Sequence, residues 1–226
     1  MGLTATPIRR DGHQPIIFMQ CGLIRYNAAR PESAPEKLEV WSKALIAPGI
    51  PENSPIQEVF RVLVNDAARN RQIAGDISAA YREDRKILVL TERTDHLPLL
   101  QEALGNDVEH CFVLHGRMSK KQRTSVLKEL DSLDESSPRI LLATGRLIGE
   151  GFDHPPLDTL VLAMPISWKG TLQQYAGRLH REHAGKHDVR VYDYAEMNHL
   201  QLARMWEKRQ RGYRSMGYEI KSRGEE

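Results

Sequence analysis

Eight residues carry the densest chemistry in this chain: Gln174-Tyr-Ala-Gly177-Arg178-Leu-His-Arg181. The pattern is Gln-x-x-Gly-Arg-x-x-Arg. Guanidiniums are planar forks of donors that match phosphate oxygens, and the neighbouring amide can donate or accept. If residues 171–181 are helical, Gln174, Arg178 and Arg181 fall at i, i+4 and i+7 along one face, while Leu172, Tyr175 and Leu179 fall elsewhere. That face could grip the phosphates of a nucleotide. Each member has a structural alternative. Thr171-x-x-Gln174 has capping-box spacing, and helical arginines commonly form surface salt bridges of little worth. A chain that binds nucleotide phosphates usually carries Gly-x-x-x-x-Gly-Lys-[Ser/Thr], and this one has no such loop. Gly185-Lys186 is followed by His187 and lacks the upstream glycine.

The elements that must position this stretch follow from periodicity. Ile56, Val59, Phe60, Leu63, Val64 and Ala67 repeat as one apolar helical face. A second helix is predicted over 67–82, with Ile73, Ile77 and Tyr81 inward. Strands and helices then alternate: strands 86–91, 111–115, 139–144, 158–163 and 189–194, and helices 95–104, 120–131, 171–181 and 196–212. Residues 38–47 form a further candidate strand. Residues 1–37 read as irregular, with short apolar runs at 16–19 and 23–24. The strands are short and apolar on both faces, which predicts an α/β fold with a mostly parallel sheet flanked by helices. Ser119-x-x-Gln122 supports a helix start.

Ligands of such a sheet sit beyond the carboxyl ends of the strands. The residues there are Thr91-Glu-Arg93, His115-Gly116-Arg117, Thr144-Gly145-Arg146, Pro165 to Lys169, and Tyr194. Small residues let a phosphate approach the backbone, and three such loops with arginines suggest a polyanion running across one edge. In the loop from Thr144 to Asp153, three glycines free backbone amides, and Asp153 could accept from a ribose hydroxyl. A plain turn fixed by Asp153 is the alternative. Ser167-Trp168-Lys169 could stack on and neutralise a strand, or simply pack. Residues 117–128 hold five basic groups and no acid, the better of two basic clusters for phosphate contact. The second, 204–214, reads as a solvated helix face. His180, His183 and His187 have metal-like spacing, but their polar, basic surroundings read as solvated histidines, so no metal is assigned.

Composition sets bounds rather than a function. The chain has 226 residues, 32 Lys and Arg against 30 Asp and Glu, and a net charge of +2. Nucleic-acid contact must therefore come from local patches. Two cysteines, Cys21 and Cys111, read as free thiols in a reducing compartment. No apolar run reaches membrane length and no secretory h-region is visible, so a cytoplasmic location without membrane partners is expected.

The order of these motifs resembles the second RecA-like motor domain of superfamily 2 helicases, in the branch of XPB-like proteins and type III restriction helicase subunits. Ile87–Arg93 is similar to motif IV, Thr144–Asp153 to motif V and Gln174–Arg181 to motif VI. Thr4-Ala-Thr-Pro7 loosely resembles motif III, which closes the first motor domain. The resemblance implies a three-layer RecA-like domain over 38–226, preceded by a motif III remnant and inter-domain segment over 1–37. It implies that Arg181 is an arginine finger, that Arg178 and Gln174 meet the γ-phosphate, and that Gly151 and Asp153 meet the nucleotide. Thr91, Arg93, Gly116, Arg117, Thr144, Gly145 and Lys169 would touch nucleic acid.

The departures matter as much. No Asp-Glu-x-His or Asp-Glu-x-Asp box is present, and Asp134-Glu135 is followed by two serines. Both that box and the phosphate loop belong to a first motor domain. The chain is therefore expected to be a piece cut at the domain boundary, with Met1-Gly2 vector-derived. ATP and Mg2+ would serve the full-length parent and not this chain alone. Its partners would be DNA, or RNA, and the N-terminal RecA-like domain of the same parent. The isolated chain is expected to lack ATPase activity. The competing reading is a nucleic-acid-binding or partner-docking module that never hydrolyses nucleotide.

Overall fold

The structure is a computed structural model that describes residues 19–20, 22, 35–106, 108–145, 152–166, 169–181, 183 and 186–222. Its sheet is built from β1 (Lys37–Leu45), β2 (Lys86–Thr91), β3 (Cys111–Leu114), β4 (Arg139–Thr144), β5 (Thr159–Leu162), β6 (Asp188–Glu196) and β7 (Glu219–Ser222). The helices are α1 (Ile56–Val64), α2 (Ala67–Arg82), α3 (His96–Leu104), α4 (Lys120–Ser132), α5 (Lys169–Leu179) and α6 (Leu200–Ser215). The strand order is β3-β4-β2-β5-β6-β1-β7, and every pairing is parallel. The expected α/β class holds, and the sheet is wholly parallel among the described residues.

Two apolar layers follow from the strand period of two. In β2, Leu88 and Leu90 face one side, with Leu141 and Ala143 of β4, against Leu130 of α4, Leu172 and Ala176 of α5, and Trp206 and Tyr213 of α6. Ile87 and Val89 face the other side, with Ile140 and Leu142, against Ile73 and Ile77 of α2 and Leu97 and Leu100 of α3. A sheet covered on both faces needs apolar residues at every position, which is why these strands do not alternate. A smaller cluster seats α1 on α6 through Val59, Leu63, Leu202 and Met205.

Local chemistry sets the helix ends. The Asp66 carboxylate accepts from the amides of Ala68 and Arg69 and caps α2. Ser119 and Gln122 form the expected capping box of α4, at 3.2 and 2.9 Å. Two boundaries differ from expectation. Helix α5 starts at Lys169, so Thr171 lies inside it and not at its cap. The strand β6 runs on through Glu196, so α6 begins at Leu200 and Tyr194 lies within the sheet, not beyond it.

Candidate functional site

The strand order is what assembles the loops. Strands β3, β4 and β2 are immediate neighbours. Their carboxyl ends therefore bring His115-Gly116-Arg117, Thr144-Gly145 and Thr91-Glu-Arg93 into one row, with strands about 4.8 Å apart. Gly116 and Arg117 are exposed, and a Cβ at Gly116 would meet open space. The amide of Arg117 donates to His115 Nδ1 at 3.3 Å, which shapes this turn. On α4 just beyond it, Lys120, Lys121 and Lys128 are exposed and Arg123 is half-buried. The arginines and lysines of 117–128 thus flank one end of the row.

Thr91 sits differently. It is buried, with Oγ1 3.0 Å from His96 Nδ1, and His96 Nε2 lies 2.9 Å from Asn70 Oδ1. The Asn70 amide nitrogen already donates to the Val64 carbonyl at 2.8 Å. His96 must therefore donate from Nε2 and accept from Thr91, which is the neutral ring. Burial lowers its pKa to about 3. The Thr91 hydroxyl is thus taken up internally, while Arg93 is half-buried and paired with Asp95 at 2.7 Å, and Glu92 and Asp95 are exposed.

Gly145 is required by close approach. A Cβ there would overlap the Tyr175 hydroxyl and come within 2.9 Å of Glu92 Oε1. Tyr175 is buried and donates to that same carboxylate oxygen at 3.2 Å. One contact thereby joins the ends of β2 and β4 to α5. Burial, with the Glu92 charge beside it, raises the Tyr175 pKa. Thr144, next to Gly145, is buried.

The Gln174–Arg181 stretch divides. Gln174 is exposed and Arg178 half-buried on α5, but the helix ends at Leu179. Arg181 lies two residues beyond it, so it does not share the helical face expected of it. The physical reason is Lys186. Its Nζ donates to the carbonyls of Leu179 at 3.1 Å, Arg181 at 2.9 Å and Pro155 at 2.6 Å. A side-chain cation thus satisfies a helix-terminal carbonyl and lets the chain turn away. Off the helix, Arg181 Nε comes within 3.3 Å of Asp153 Oδ1, with both side chains about half exposed at 52% and 48%. Two residues predicted for one site from distant sequence are brought together. Gly151, the Lys169 side chain, Ser167-Trp168, Cys21 and Thr4–Pro7 lie outside the described residues.

Three cations that sequence reasoning missed hold this region in place. Arg209 belongs to the basic cluster expected to form a solvated face, yet it is 2% exposed. Its Nε bonds both Asp193 oxygens at 2.8 and 3.1 Å, and its other nitrogens donate to the carbonyls of Ile166 and Tyr194, both at 3.1 Å. The signal was available: Met205, Arg209 and Tyr213 recur every four residues on one stripe. The other four of that cluster, Arg204, Lys208, Arg211 and Arg214, are exposed as expected. Arg69 bonds Glu196 at 2.8 Å and the Ala163 carbonyl at 2.6 Å. Lys186, which the sequence offers only as a failed phosphate loop, is the third.

The decoys separate. His180 hydrogen-bonds the Tyr218 hydroxyl at 2.8 Å, and His183 Nε2 faces Glu135 at 3.4 Å. No trio of metal-binding side chains occurs among the described residues. Burial pushes the Cys111 thiol up to about 11, which disfavours the thiolate form. No helix among the described residues is long and apolar enough to cross a membrane.

Comparison with known proteins bears on the family and the fold. The family described as "Helicase conserved C-terminal domain" matches residues 70–183, which contain the loop row, Asp153 and Arg181. The transcript termination protein A18 of Fowlpox virus is 28% identical over 124 residues, 54% of this chain and 26% of that protein. The chain therefore spans about a quarter of the length of that relative. The structure of T4 UvsW superimposes with a TM-score of 0.63 at 18% identity, over 82% of this chain and 41% of that one. S. cerevisiae Dbp5 bound to RNA and ADP BeF3 superimposes with a TM-score of 0.55 at 10% identity, over 92% and 48%. At those identities the likeness establishes the fold, which is the RecA-like α/β fold. By its family match, this chain belongs to the helicase conserved C-terminal domain family.

Proposed function

We propose that this chain is the C-terminal motor domain of an ATP-dependent nucleic-acid helicase or translocase, and that it completes an ATP site whose phosphate loop lies on another domain. The observation that carries this reading is the Asp153–Arg181 pair. It leaves a half-exposed guanidinium two residues past α5 beside a half-exposed carboxylate; on this reading the guanidinium would meet the facing domain and the carboxylate a ribose. Arg181 would stabilise charge developing on the transferred phosphoryl, with Arg178 and Gln174 as further phosphate contacts. Where measured, such a finger contributes about 10³–10⁵ in rate. Mg2+ would be held with the phosphates by the other domain. The row formed by Arg93, Gly145, Gly116 and Arg117, with the α4 lysines, would carry the nucleic-acid backbone. Dbp5 bound to RNA and ADP BeF3 supports both ligand classes, and the name of the poxvirus relatives supports an act on nucleic acid. DNA and RNA are both compatible with backbone contacts.

The test is ATP turnover. The isolated chain should show none. In the full-length parent, Arg181→Ala should cut kcat by orders of magnitude while the fold stays intact. Wild-type turnover by that variant removes Arg181 from the finger role. Tight, strongly salt-dependent nucleic-acid binding by the isolated chain, together with a parent that hydrolyses no nucleotide, would favour a plain binding module.

A further inference from the structure

We propose that Lys186 is a positioning residue, a three-point clamp that holds the Arg181 guanidinium beside Asp153. The inference rests on the finger reading of Arg181 and adds a residue outside the Gln-x-x-Gly-Arg-x-x-Arg pattern. Lys186 lies five residues beyond Arg181, just before β6. An ammonium has three N–H donors. Here each has one acceptor: the carbonyls of Pro155, Leu179 and Arg181. Leu179 is the last residue of α5, Arg181 is the finger itself, and Pro155 is two residues from Asp153. The clamp therefore ties both partners of the Asp153–Arg181 pair through the backbone, from a third segment.

The arrangement is not an economical way to gain stability. Burial lowers the Lys186 pKa from 10.5 to about 8, and the charges of Asp158 and Asp153 only partly oppose this. Also facing the cluster are Arg181, His154, whose own pKa falls to about 4 from burial and neighbouring Arg139, and His183, whose carbonyl accepts from the Lys186 amide at 3.1 Å. A desolvated cation costs the fold free energy that an apolar side chain would not. What an apolar side chain cannot do is bond three carbonyls and fix where the chain turns.

The chemistry predicts a pH signature. A neutral amine has two N–H donors, so above about pH 8 one of the three carbonyls is released. Global stability moves the opposite way. A lysine with a depressed folded pKa binds fewer protons when folded, so raising the pH from about 8 towards 10.5 favours the folded chain. A loss of turnover in that window is thus not explained by Lys186-linked unfolding. An arginine at this position would stay charged throughout.

Two measurements test the clamp. On this chain, hydrogen-exchange protection factors over 153–157 and 179–187 should fall about tenfold in Lys186→Met and stay near wild type in Lys186→Arg, with β2 and β4 unchanged in both. In the full-length parent, Lys186→Met should lower kcat about ten- to a hundredfold, the cost of roughly ångström misplacement. KM for ATP should stay within about threefold. Lys186→Arg should recover most of the loss and should not share the wild-type fall in kcat as pH rises through about 8. Unchanged protection in Lys186→Met overturns the clamp. So does a wild-type kcat in that variant. If Lys186→Met does not fold, a wild-type pH profile identical to that of Lys186→Arg overturns it instead. Arg181→Ala run in parallel separates the two readings: full turnover there removes the finger, and the clamp is then decided by exchange alone.

Discussion

The hydroxyl of Tyr175 stands in the space that a Cβ on Gly145 would need. Tyr175 belongs to α5 and Gly145 follows β4, and the same hydroxyl reaches Glu92 after β2. Gly145→Ala must therefore push α5 away from the sheet edge or break the Tyr175–Glu92 bond. Overpacking of this kind typically costs about 1–3 kcal/mol. Urea unfolding should show that loss, and Gly145→Ala combined with Tyr175→Leu should show less than the sum of the two single losses. Additive costs would mean the two residues are not in contact.

The Arg209–Asp193 pair is almost wholly buried, with side chains 2% and 1% exposed. Tyr213 adds a hydrogen bond to Asp193 at 2.8 Å. Asp193→Ala should cost about 3–5 kcal/mol, because it strands the guanidinium. Replacing both partners, as Arg209→Met with Asp193→Leu, should cost less than either single change. Equilibrium denaturation of the three variants decides it.

Acid should weaken the fold through two histidines. His96 and His154 have folded pKa values lowered by burial to about 3 and about 4, against 6.5 unfolded. The unfolded chain takes up protons that the folded chain refuses. Their contribution is therefore fully present above pH 6.5 and is lost as pH falls from 6.5 towards those values. The slope is at most about 1.4 kcal/mol per pH unit for each histidine. Urea midpoints measured from pH 7.5 to 5 should fall accordingly. In His96→Asn the slope should drop by about one proton.

If the row from β3 to β2 carries a phosphate backbone, its charges should appear in the salt dependence. Each of Arg117→Ala, Lys120→Ala and Lys121→Ala should weaken binding of the full-length parent to mixed-sequence oligonucleotides about uniformly. Each should also reduce the slope of log K against log salt by about one. Lys208→Ala, on the exposed face of α6, is the control and should leave the slope unchanged.

The wholly apolar runs in β2 and β4 showed a buried parallel sheet, because only strands covered on both faces can carry them. Ser119 and Gln122 marked the start of α4, since that bond pair closes within four residues. The Gln174–Arg181 pattern was legible for the same reason: its spacing is local. Non-local pairing was not legible. Nothing in Lys37–Leu45 states that it pairs with Asp188–Glu196 on one side and Glu219–Ser222 on the other, and β7 gave no sign of itself. The row of three loops depends on β3, β4 and β2 being neighbours, which is a property of the sheet and of no single segment. Likewise Arg181 left the helix face assigned to it because Lys186, five residues on, bonds carbonyls from two segments at once. Periodicity reports what a residue needs from its environment; only the folded chain decides which distant backbone meets that need.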